Sequence, residues 1–311
     1  MRKRSTASFL LITVLGNAGA ATAQSTELYR INLSPTSKVG EKFRYEASES
    51  ESSRTIFFTP LTEQSVGALF ESTARVDSIA TVRSCDQRGV PASVDFEVIA
   101  LDLRGGVDGQ MLPSGTVVSA RSVATENRPQ KFADSFTLKD SPLEPIQSEA
   151  LARVITIGSA EEPTEQQAFG TDRPLRLHGR WSLNGQPGAN LLRKMRVKAN
   201  PASVTGTARL VGEFMMGQTA CLEVQISVRC SDYTQPMPPG QAIVKGRVAA
   251  WASYYIAKDS GRIVASEYES YMELQITGKK GDEPYIRQET FDVKRNLRMS
   301  PVSDQATGSQ K

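Results

Sequence analysis

Cys221-Leu222-Glu223-Val224-Gln225-Ile226-Ser227-Val228-Arg229-Cys230 decides the fold. Leu222, Val224, Ile226, Val228 and Cys230 fall on one side of an extended chain, and Cys221, Glu223, Gln225, Ser227 and Arg229 on the other. Period-two alternation of this kind marks a half-buried strand. Downstream, Ile243–Ala257 is rich in Val, Ile, Tyr and Trp, and Lys258-Asp259-Ser260-Gly261 supplies a turn with glycine where positive φ is tolerated. Arg262–Thr277 returns with Val264, Tyr268, Met272, Leu274 and Ile276 on one face and Glu267, Glu269, Glu273 and Gln275 on the other. After a turn at Gly278–Asp282, Tyr285–Arg295 alternates again, completing an antiparallel meander.

Working back toward the N-terminus, Lys42–Ser48, Arg54–Leu61, Ser65–Arg83, Ser93–Arg104, Leu175–Leu183, Leu191–Ala199 and Val204–Phe214 read as further strands. Residues 24–40 read as a lead-in, and 105–140 and 158–174 as loops. One segment breaks the pattern. Ser141 caps, Pro142 takes the first helical position and Glu144 closes a capping box, after which Leu143, Ile146, Ala150, Leu151 and Val154 recur at three- and four-residue steps. A helix is expected over Ser141–Ile157, ended by Gly158. Strands this long suit sheets that curl. The expected fold is therefore all-β and mainly antiparallel: a curved, half-barrel or barrel-like sheet with one covering α-helix.

The first 23 residues read as an address. Arg2, Lys3 and Arg4 precede the apolar run Phe9–Leu15, and Ala21-Thr22-Ala23 offers small residues at a cleavage site between Ala23 and Gln24. The run is too short to span a bilayer, and no later stretch approaches the length needed. The expectation is a signal peptide at 1–23, a single β-rich domain at 24–299 (the alternative being a division near 160–174), a disordered tail at 300–311, and a periplasmic or secreted location. Loss of three of the 37 basic residues with the leader leaves 34 basic against 34 acidic. That balance gives no drive toward nucleic acid.

Chemistry is sparse. With three cysteines and one histidine in 311 residues, the chain has neither a disulfide scaffold nor the ligands of a typical zinc site. No G-x-S-x-G, H-E-x-x-H or phosphate-binding loop occurs. His178, in Arg176–Trp181, reads as a strand histidine without a nucleophile to serve. Glu267 and Glu269, about 7 Å apart by strand rise, read as a solvated face, with a carboxylate-dependent hydrolase as the enzymatic alternative. No cofactor or metal is expected. If Cys221 and Cys230 share one strand they lie roughly 30 Å apart, which disfavours a bridge between them unless the strand folds back. Cys85 stays open as a disulfide partner for either, the pairing undetermined. Trp181, Trp251, Tyr254, Tyr255, Tyr268 and Tyr271 supply aromatic surface for packing or for an apolar pocket.

Several stretches of the second half, Gly179-Arg180-Trp181, Gly206–Gly212, Gly217–Val224 and Gly246 through Tyr254-Tyr255-Ile256 to Val264, resemble an uncharacterised group of exported, β-rich bacterial proteins. That resemblance implies a fold and no activity. In architecture, long curved strands with a covering helix are similar to the half-barrel carriers that move lipoproteins across the periplasm. The function expected is non-enzymatic binding of a lipid, another apolar or amphiphilic ligand, or an envelope protein. The alternative is a structural or assembly factor of the cell envelope.

Overall fold

The computed structural model describes residues 27–34, 36–59, 62–105, 112–122, 134–157, 163–194, 197–234, 237–280 and 283–302. The leader with its Ala23–Gln24 junction, and residues 303–311 of the tail, lie outside them. The first six strands are β1 (Lys42–Thr59), β2 (Thr62–Cys85), β3 (Pro91–Arg104), β4 (Val117–Ser122), β5 (Asp134–Leu138) and β6 (Ser141–Pro142). Helices α1 (Pro145–Val154) and α2 (Glu165–Phe169) follow, then β7 (Arg180–Ser182) and α3 (Gln186–Lys194). The chain closes with β8 (Val204–Met216), β9 (Thr219–Cys230), β10 (Ala242–Ala257), β11 (Ile263–Lys280) and β12 (Glu283–Pro301).

All twelve strands form one antiparallel sheet in the order β6-β5-β4-β3-β2-β1-β12-β11-β10-β9-β8-β7. The first and last long strands thus meet at its centre, from Phe43 opposite Pro301 to Phe58 opposite Ile286. The sheet does not close on itself, and its two outer strands are only two and three residues long. Short edges offer little template for unwanted pairing.

The alternation in β9 is the reason for its position. Leu222, Val224, Ile226, Val228 and Cys230 point to one side and are buried. That side of the sheet, here the inner face, carries every helix. Two apolar clusters lie on it. Tyr45, Val76, Ala80, Phe96, Val98 and Val118 pack with Leu151, Val154 and Ile155 of the α1 region. Leu210, Val224, Ile226, Tyr254 and Ile276 pack with Phe169 of α2 and with Leu191 and Leu192 of α3. Tyr29, Ile31 and Leu33 of the lead-in join the second cluster. The Tyr29 N–H donates to Leu175 O at 2.7 Å, and the Leu175 N–H returns to Tyr29 O at 2.9 Å.

The structure corrects several expected boundaries. Lys42–Ser48 and Arg54–Leu61 belong to one continuous strand, β1. The Leu191–Ala199 strand is replaced by helix α3, because Leu191 and Leu192 are adjacent positions turned onto one core, which a strand would place on opposite faces. Leu175–Leu183 contributes only a bridge at Leu175 and the short β7. The stretch read as loop over 105–140 contains β4 and β5, and that over 158–174 contains α2. Helix α1 starts later than expected. Ser141 and Pro142 pair with β5, Pro145 occupies the first turn, and Glu144 is the cap without a side-chain bond. Among the described residues, α2 and α3 join α1 in covering this face. Strand β12 runs through Pro301, two residues into the expected tail.

Candidate functional site

The inner face changes character along β1. Tyr45 and Ala47 are apolar and buried, then Glu49 takes the next inner position at only 3% exposure. A buried carboxylate requires compensation, and Glu49 has two guanidinium groups. Arg153, in the last turn of α1, donates Nε–H to Glu49 Oε1 at 2.8 Å. Arg295, directly opposite Glu49 on β12, donates Nε–H to Oε2 at 3.0 Å and closes a second, shorter contact through Nη2. Arg153 Nη1–H donates to Ser72 Oγ on β2 at 2.9 Å. The remaining Arg153 nitrogen, Nη2, is buried, has no hydrogen-bond partner among the described residues, and lies 3.9 Å from Glu51 Oε2.

This cluster continues sideways. Arg295 faces Tyr268 across the β11–β12 ladder. The Tyr268 hydroxyl lies 2.9 Å from that of Tyr254 on β10 and 3.4 Å from Glu165 Oε1, the first residue of α2. Burial, with the Glu165 carboxylate beside it, pushes both tyrosine hydroxyls upward. They stay neutral and serve as hydrogen-bonding groups. A polar belt thus crosses the inner face from α1 to α2, over Ser72, Arg153, Glu49, Arg295, Tyr268, Tyr254 and Glu165.

Beyond the belt, toward the β1–β2 and β11–β12 turns, the inner face is less covered. Phe57, Tyr285, Phe291, Val293 and Met272 are half-buried there, and Phe70 is 41% exposed. The Phe57 and Tyr285 rings meet edge-on at 6.1 Å. Arg287 Nε and Glu289 Oε1, 2.9 Å apart, form an ion pair within this apolar strip. The combination is amphiphilic: aromatic and aliphatic floor, with charged pairs fixed at intervals.

A cavity of about 350 Å³ lies at the same central strands. It is lined by the inner-facing Glu51 and Ser72, by Ser50, Ser52, Glu71, Thr73, Asp292 and Lys294 at the alternating positions, and by Arg104 and Gly105 at the end of β3.

The residues singled out by sequence are scattered. His178 is an exposed turn residue at φ 67°, not a strand residue, and its backbone N–H donates to Leu210 O at 2.7 Å. Glu267 and Glu269 stand exposed on the outer face, Glu269 paired with Lys294 at 3.0 Å, and neither lines the cavity. Cys85, Cys221 and Cys230 are free thiols; Cys85 closes β2, five strand positions away from the β9 that carries the other two. Trp251, Tyr255 and Tyr271 lie outward, while Tyr254 is wholly buried and Trp181 donates its indole N–H to Phe169 O at 2.8 Å. No group of three or more metal-ligating side chains occurs among the described residues. Likewise, no helix among them is long and apolar enough to cross a membrane.

Sequence reading missed Glu49, Glu51, Arg153 and Arg295. Ser48–Ser53 looks like a polar break because no local pattern announces partners 104 and 246 residues away. A usable signal did exist for α2: Thr164 and Gln167 form a reciprocal capping box.

No family model matches the chain, and no curated protein does. Among solved structures, one described as "Lipid-protein interactions in lipovitellin" aligns with 88% of this chain at 9% identity and a TM-score of 0.34. This chain spans only 26% of that one. An outer membrane channel from Pseudomonas putida F1 aligns over 86% of this chain and 97% of its own, at 7% identity and a TM-score of 0.18. A mutant Rh. blastica porin covers 82% and 100%, at 8% identity and a TM-score of 0.13. Scores this low assign neither a family nor an activity.

Proposed function

We propose that this is an exported, non-enzymatic envelope protein that binds an amphiphilic ligand on its inner face. The observation that supports this reading is the half-buried strip of Phe57, Phe70, Met272, Tyr285, Phe291 and Val293, left between two helix-covered halves and bounded by the polar belt. Aromatic and aliphatic surface of this kind, with a few fixed polar groups, is the usual makeup of a site for apolar ligands. The test is displacement of the neutral probe N-phenylnaphthylamine by oleate, with wild-type protein and Phe291→Asp. Saturable displacement by wild type, weakened at least tenfold in a variant with intact near-ultraviolet dichroism, is expected. Wild-type protein that takes up no probe sinks the reading. Export is checked separately: the protein recovered from its host should begin at Gln24.

A second reading, an assembly factor, draws on β2. Residues 62–72 pair with β1, whereas among the described residues β3 joins β2 from Thr73 onward, and Leu69 is 65% exposed on this stretch. Such an edge can accept another strand. A photo-crosslinker at position 69 should then give one discrete adduct in cells, and a diffuse smear argues against it.

A further inference from the structure

We infer that the ligand of the inner face carries an anionic head group, a long-chain carboxylate, which takes the place of Glu51 beside Arg153. This rests on the binding reading above and specifies its ligand class. Arg153 is 7% exposed, and two of its three nitrogens are satisfied, Nε by Glu49 and Nη1 by Ser72. The third, Nη2, is buried without a hydrogen bond among the described residues. A buried cationic N–H left without an acceptor is costly, and native structures rarely keep one without a reason.

The nearest carboxylate, Glu51, stands off at 3.9 Å, beyond hydrogen-bond reach, and its side chain is one-third exposed. It shields Arg153 without bonding it. The local charge count agrees. Glu49 is shared by Arg153 and Arg295, so the three groups carry one net positive charge, which Glu51 balances loosely. An incoming carboxylate that accepts from Nη2 replaces that balance with a charge-assisted bond, while the one-third-exposed Glu51 side chain swings into solvent.

The apolar tail has a floor to lie on. Val293 is directly opposite Glu51, and Phe291 opposite Ser53 with Phe70 on its other side. From Glu51 to Phe57 the strip runs six residues, roughly 20 Å of strand. An amphiphile seated with its head at Arg153 extends its tail toward the strand turns.

The test uses full-length protein, N-phenylnaphthylamine displacement, and two competitors of equal chain length, oleate and oleyl alcohol. Glu51→Gln removes the competing charge. It should strengthen oleate binding on the order of tenfold and leave oleyl alcohol unchanged, the difference of one charge-assisted hydrogen bond. If both competitors bind wild type and variant in an unchanged ratio, the head-group assignment fails while the inner-face binding reading stands. If neither displaces the probe from either protein, the binding reading fails, and this inference with it.

Discussion

Glu49→Gln is the most informative single change in this molecule. The substitution keeps shape and removes one charge, leaving Arg153 and Arg295 facing each other across a neutral amide. Glu49 accepts at 2.8 Å from Arg153 and at 3.0 Å from Arg295, besides the shorter second Arg295 contact. Its side chain is 2% exposed and that of Arg153 9%, so water screens the exchange poorly. Breaking a buried ion pair by removing one partner costs about 3–5 kcal/mol. For 311 residues at ~2.1 cal/mol/K each, 1 kcal/mol lowers Tm by roughly 1.5 °C. The expected fall is therefore about 5–8 °C by circular dichroism, with a lower urea midpoint. Glu51→Gln is the control. Its carboxylate makes no hydrogen bond to Arg153 and is one-third exposed, so its effect stays within about 1 kcal/mol. Joint replacement of Glu49, Arg153 and Arg295 by apolar residues of similar volume should recover much of the loss, because buried ion clusters seldom exceed a packed apolar set in stability. A Glu49→Gln variant that melts within about 2 °C of wild type refutes the claim that the two arginines depend on this carboxylate.

Other outcomes follow from particular contacts. Gly105 sits at φ 83°, where a Cβ would come 2.0 Å from the Glu71 carbonyl oxygen, so Gly105→Ala forces the end of β3 away from β2 and lowers the urea midpoint by more than a surface Gly→Ala does. Phe169→Ala empties a fully buried site under α2 and should cost about 3–5 kcal/mol in denaturant titrations. Under native conditions Ellman's reagent should react with Cys85 first. Cys221 and Cys230 are buried, and burial pushes the Cys221 thiol upward, so they react on unfolding. The Tyr29 hydroxyl lies 2.6 Å from Glu213 Oε1, and Lys258 Nζ pairs with the same oxygen at 2.6 Å. Lys258 first and Tyr29 second hold the Glu213 carboxyl below its usual range. A carboxyl lowered on folding contributes stability above its unfolded pKa and loses it as pH falls through the folded one. Amide protection over residues 29–33 should then drop below roughly pH 4, and Glu213→Gln should show the same drop at neutral pH.

What the sequence disclosed, and what it hid, divides by the range of the interactions. The β9–β12 meander was legible because each strand alternates over ten or more residues and the turn at Gly261 carries the positive φ it requires. Helix α3 was misread although it is amphipathic, because Leu191 and Leu192, near its C-terminal end, were grouped with the residues running on to Ala199. Gly188, where a Cβ would meet Leu183 O and Val204 Cγ1 at 2.6 Å, shows how closely it is pressed. The break read at Ser48–Ser53 is the same problem in sharper form. Glu49 looks like a loop residue by composition, and it becomes an interior residue only because Arg153 and Arg295 arrive from distant parts of the chain. Local pattern reports burial of apolar groups, while compensated charge needs the tertiary structure.

The pairing of β1 with β12 has a consequence for how the protein is made. A ribosome delivers β1 early, yet its sixteen-rung partner ladder, Phe43–Phe58 against Pro301–Ile286, can form only when the last strand has emerged. Until then the first six strands present an unpaired flank at what will become the middle of the sheet, the kind of surface that seeds aggregation. The seam between the two halves cannot close before residues up to Pro301 are available, and the longer that takes, the longer the open flank stays exposed.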